Sequence, residues 1–131
     1  MPSVLDRYEA RIAEGILDAD PAQAEAAARL DALARALAGK RKRGWLSKPE
    51  PVTGLYLWGG VGRGKSMLMD LFFDAAPVTP KRRVHFHEFM GGVHDMLGEW
   101  RSMDERARKR SEWHVRGAGD DPIAPAAKRI A

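Results

Sequence analysis

One stretch of this chain concentrates residues that can do chemistry: Gly59-Gly60-Val61-Gly62-Arg63-Gly64-Lys65-Ser66. Its spacing is G-x-x-x-x-G-K-[ST], the pattern of a phosphate-binding loop. A polyphosphate needs many donors at short range. Backbone N–H groups in a tight loop supply them, and a helix N-terminus adds partial positive charge. Glycines let the backbone curl and approach the phosphates closely. Lys65 is placed to reach the β- and γ-phosphates as a point charge, and Ser66 to offer its hydroxyl to Mg²⁺.

Such a loop has to be held between a strand and a helix. Gly54-Leu55-Tyr56-Leu57-Trp58 is a short apolar run that reads as a buried strand, and Met67-Leu68-Met69-Asp70-Leu71-Phe72-Phe73 reads as a helix. A plain glycine-rich turn would explain the glycines but not Lys-Ser between these flanks.

The 131 residues allow one domain at most. A hydrophobic fraction of 44% and a charged fraction of 31% suit a globular protein, with no run long enough for a membrane span. The start, Met1 to Arg7, lacks the basic-then-apolar order of a secretory signal. No cysteine is present, which excludes disulfides and thiolate metal sites and fits a cytoplasmic setting. Lys plus Arg is 22 and Asp plus Glu is 18, a net charge of +4 that gives no strong nucleic-acid signal.

Upstream of the loop, Leu5, Tyr8, Ile12 and Ile16 recur at helical spacing and predict a helix over 4–17. Asp20-Pro21 starts a second helix, with Gln23 at the capping-box position, a stripe of Leu30, Leu33 and Leu37, and Gly39 as its end. Together they predict a helical hairpin. Gln23 has two readings: a helix-starting side chain, or an amide on an adenine edge, since it both donates and accepts. Lys40-Arg41-Lys42-Arg43 reads as a solvated linker or, alternatively, a patch for phosphates. Trp45 packs on the domain surface or near a base.

Downstream, Val84-His85-Phe86-His87 alternates like a second strand. From Glu88 a helix is expected, with Phe89, Val93, Met96, Leu97, Trp100 and Met103 on one face, continuing through Asp104 to Trp113. Asp121-Pro122 starts a last helix to Ile130. His85 and His87 share a strand face, and His94 follows, but no third metal ligand stands at a telling spacing.

Gly54 to Ser66, Arg83-Val-His-Phe-His-Glu-Phe-Met90 and His94 closely resemble the ZapE (AFG-one-like) family of AAA+ ATPases. The upstream Tyr8, Gly15 and Asp20-Pro-Ala-Gln23 resemble that family's start. The resemblance implies an ATPase, with ATP and Mg²⁺ as ligands, that couples hydrolysis to protein remodelling. It further implies association with bacterial cell division, a protein partner such as a division-ring component, and a homo-oligomeric whole protein. Residues 59–66 are then the nucleotide loop, with Lys65 catalytic.

A family member would continue beyond Ile130-Ala131 into a strand carrying the Walker B acids, and Asp120-Asp121 lacks the apolar strand that would make it a substitute. The chain therefore reads as the N-terminal part of a longer protein. The expected fold is α/β, a partial P-loop NTPase (AAA+) domain of parallel strands with flanking helices, preceded by the hairpin. The expected boundaries are 1–43 for hairpin and basic linker and 44–131 for the ATPase portion. Two unpaired strands would leave the isolated chain marginally stable and prone to associate. The rival functions are nucleotide binding without hydrolysis, a P-loop small-molecule kinase, and an adaptor whose partner binding ignores nucleotide.

Overall fold

The structure is a computed structural model that describes residues 1–42, 51–60, 62 and 64–130. Among the described residues six helices run in the order α1 (Val4–Ala13), α2 (Pro21–Lys42), α3 (Lys65–Ala75), α4 (Phe86–Ser102), α5 (Glu105–Arg110) and α6 (Ile123–Ile130). Two compact units result, Met1–Arg82 and Arg83–Ala131.

In the first unit, α1 begins at a capping box. Asp6 N–H donates to Ser3 Oγ at 3.1 Å and Ser3 N–H donates to Asp6 Oδ2 at 2.8 Å. These bonds from Ser3 favour the charged form and hold the Asp6 carboxyl below its ordinary value. The helix stops at Ala13, short of the expected 17, because Gly15 turns left-handed at φ 73°. Ile16 falls outside it and is exposed.

Helix α2 starts as expected: Asp20 Oδ1 accepts from Ala22 N–H at 2.9 Å. It runs through Gly39 to Lys42, because Gly39 does not take the left-handed conformation that ends a helix. Its buried line is Ala27, Leu30, Asp31 and Ala34, at i, i+3, i+4 and i+7. Small alanines let α2 lie close to its neighbours.

Helices α1, α2 and α3 all pack on one another. Val4, Tyr8, Ala27, Leu30, Ala34, Leu68 and Leu71 form the shared core. Each fully buried leucine there is worth about 1.5–3 kcal/mol, so α3 is held to the hairpin mainly by apolar packing. Polar ties add register. Buried Asp31 accepts from Val4 N–H at 3.0 Å and Leu5 N–H at 3.4 Å, capping α1 from a different helix. Lys81 closes the other end of α3, donating to Phe73 O and, at 3.2 Å, to Ala76 O.

The second unit centres on Trp100, buried at the end of α4 with its ring 5.9 Å from that of Trp113. Helices α4 and α6 pack together, with Pro125 and Ala126 buried. Arg129 stacks 4.2 Å from the Trp113 ring and bonds Glu99 Oε2 at 2.8 Å. The charged segment does not continue α4. Met103 ends that helix, and Asp104 caps α5 by accepting from Ala107 N–H at 2.7 Å. Asp121 Oδ1 similarly accepts from Ile123 N–H at 2.9 Å and starts α6.

The expected α/β class with parallel strands is overturned. Among the described residues no strand forms, and the chain is helical. A strand exists only through a ladder partner. The candidates, Gly54–Trp58 and Val84–His87, fall in different units. Residues 54–58 are an irregular segment, anchored on the core by Leu57 while Tyr56 and Trp58 lie exposed, not buried. Val84 is also irregular, and His85 is the N-cap of α4, so Phe86 and His87 are helical. Four alternating residues are too few to separate a strand from a helix start; Phe86, Phe89 and Val93 carry helical spacing equally well.

Candidate functional site

The loop glycines adopt backbone that other residues resist. Gly59, Gly62 and Gly64 have φ of 154°, 81° and 77°. A Cβ at Gly59, Gly60 or Gly62 would meet nothing within 4 Å, so the space over the loop is open. Gly64 differs: a Cβ there would stand 2.8 Å from Gln23 Nε2 and 3.4 Å from Gln23 Cδ. Val61 and Arg63 lie outside the described residues.

Gly64 is also the left-handed N-cap of α3, and a glycine brings no capping side chain of its own. A helix N-terminus left so is a natural place for an anion, its first N–H groups pointing outward with partial positive charge. Lys65 opens α3 and folds back over the loop. Its ammonium donates to Gly59 O at 2.7 Å and Gly60 O at 2.8 Å. Ser66 follows on the exposed first turn.

A cleft of about 300 Å³ adjoins this loop. Asp20 and Gln23 from the start of α2, Trp58, Gly59, Gly60 and Lys65 line it, with Ala26, Leu57 and Leu68 as an apolar floor. The volume is at the lower end for a small-ligand site. The lining combines one lysine and the backbone of the loop with apolar side chains, Gln23 and the Asp20 carboxylate. That arrangement fits a polyphosphate carrying a flat organic group. A phosphate oxygen offers Lys65 a charge-assisted acceptor in place of a neutral carbonyl.

Of the sequence-expected site residues, Gly59, Gly60 and Lys65 line one cleft, and Gly62, Gly64 and Ser66 belong to the same loop and turn. Gln23 joins them, from 42 positions upstream of Lys65. Trp58 and Asp20 were not foreseen as cleft residues. Trp58 is next to the first loop glycine but reads as core in a strand, and it is 83% exposed. Trp45, Arg43 and the side chains of Lys40 to Lys42 lie outside the described residues. His85 and His87 are exposed, their neighbourhood including Phe86 edge-on to His87 at 6.4 Å. Among the described residues no three His, Asp or Glu side chains come close enough to hold a metal ion.

The family model described as AFG1-like ATPase matches residues 3–131. Cell division protein ZapE of Escherichia coli K12 is 56% identical over 59 residues, which are 45% of this chain and 15% of that protein. Lactation elevated protein 1 homolog B of Danio rerio is 41% identical over 86 residues, 65% of this chain and 16% of that protein. The matches thus span only about 15% of these relatives' length. No solved structure matches the chain.

Proposed function

Since this chain belongs to the AFG1-like ATPase family, we propose that its cleft binds ATP with Mg²⁺ through residues 59–66. The observation that carries this is the meeting of the Lys65 ammonium, the glycine-capped N-terminus of α3 and an open glycine loop beside one cleft. The N–H groups from Gly60 to Ser66 cradle the phosphates. Lys65 holds the β- and γ-phosphates, and the Ser66 hydroxyl holds Mg²⁺. That ion, when bound, offsets phosphate charge. The apolar floor and Trp58 take the base.

In the whole protein this site serves ATP hydrolysis coupled to remodelling of a protein partner, in a homo-oligomer. The name of the Escherichia coli relative supports a cell-division setting. No helix among the described residues is long and apolar enough to cross a membrane, and we place the protein in the cytoplasm. In this reading the chain binds ATP without efficient turnover.

Binding to the folded state alone must raise stability. Mg·ATP at a hundred times its Kd should add about 2.7 kcal/mol, read as an upward shift of the melting temperature. A melting curve indifferent to millimolar Mg·ATP would refute the assignment.

A further inference from the structure

We propose that Gln23 is a positioning residue of the phosphate cradle, so that the N-terminal hairpin forms part of the nucleotide site. This rests on the phosphate-binding reading above. Three observations converge on it. The Gln23 carboxamide is packed so tightly on Gly64 that a methyl group there would stand 2.8 Å from Nε2. Gly64 is the left-handed N-cap that aims the first amides of α3. Gln23 and Lys65 line the same cleft.

The placement is rigid. Gln23 sits one turn before Ala27, and Ala27 with Leu30 is locked into the core shared with Leu68 and Leu71 of α3. The helix that carries Gln23 is thus held against α3, and the carboxamide Nε2 lies against the loop where phosphate charge would gather. It steadies the turn at Gly64 and adds donor character to the cradle.

A plain helix-starting role predicts the opposite response to one substitution. At the third position of a helix, glutamate is favoured by capping and by the helix dipole. If Gln23 only starts α2, Gln23→Glu leaves phosphate binding alone and holds or raises the melting temperature. If Gln23 belongs to the cradle, the same change puts a carboxylate beside the phosphates, and binding falls while the fold stays intact.

The test titrates tripolyphosphate, a base-free probe, into the 131-residue chain, Gln23→Glu, Gln23→Met and Lys65→Ala, with melting temperatures recorded for each. The expected result is binding to the chain that Lys65→Ala removes, roughly tenfold weaker binding by Gln23→Glu at an unchanged or higher melting temperature, and roughly fivefold weaker binding by Gln23→Met. Gln23→Glu within twofold of the unsubstituted chain would overturn the proposal while leaving the cradle standing. Should Gln23→Glu fail to fold, Gln23→Met decides, and unchanged affinity there overturns it. No tripolyphosphate binding by the unsubstituted chain would take down the cradle reading, and this proposal with it.

Discussion

Replacing Lys65 with alanine should weaken ATP binding by about a hundredfold or more, roughly 2.8 kcal/mol. The ammonium is the cation of the described loop that faces the cleft, and its bonds to phosphate are charge-assisted, each about 1.5–3 kcal/mol. The fold should survive. Among the described residues the lysine's bonds run to the Gly59 and Gly60 carbonyls, and the buried residues of α3 are Leu68 and Leu71. Alanine is also a better helix former, so α3 loses nothing. Far-UV circular dichroism should be unchanged while calorimetric titration shows the loss. Arginine should not rescue, because a planar fork cannot sit where a compact ammonium bridges two carbonyls. Equal ATP affinity in the alanine variant would refute the role.

Asp31→Ala should cost the first unit about 2–3 kcal/mol, the largest stability effect expected of a single polar residue there. Asp31 is 2% exposed, and its Oδ1 accepts from Val4 and Leu5 N–H at the start of α1. Its Oδ2 meets Arg35 Nη2 at 2.6 Å. Arg35 is 74% exposed and can turn to water, so the ion pair adds little. The cost lies in the two amides, since Val4 is fully buried and its N–H has no other route to solvent. Asp31→Asn keeps an acceptor and should recover much of the loss. Chemical denaturation would show the order, native above asparagine above alanine. Alanine equal to native would mean that α1 does not depend on this cap.

Much of the site was legible because its chemistry is local. Eight consecutive residues carry the loop, and the structure adds the turn at Gly64 and the fold-back of Lys65, both within that span. Helix starts at Asp20-Pro21 and Asp121-Pro122 were legible for the same reason: a cap and its donor stand two residues apart. Helix ends were less so, since glycine permits a left-handed turn without compelling it. Gly15 takes it and Gly39 does not.

What failed was what depends on distant partners. Two apolar runs read as strands, but a strand's existence is decided by its neighbour and not by its own sequence. Asp31 shows the other side of this. A carboxylate on the apolar stripe of α2 is a visible anomaly, yet its amide partners lie 26 and 27 positions away, beyond any spacing rule. Gln23 was legible as a candidate with two readings. Only the packing of α2 on α3 brings it against Gly64.

The most direct test of the account is a competition titration. A fluorescent ATP analogue with Mg²⁺ is bound to the 131-residue chain and chased with tripolyphosphate, while phosphate release is followed in the same samples. The account predicts saturable binding, full displacement by tripolyphosphate and no appreciable release. Absence of saturable binding, or binding that tripolyphosphate cannot displace, would contradict the claim that this cleft is a polyphosphate cradle.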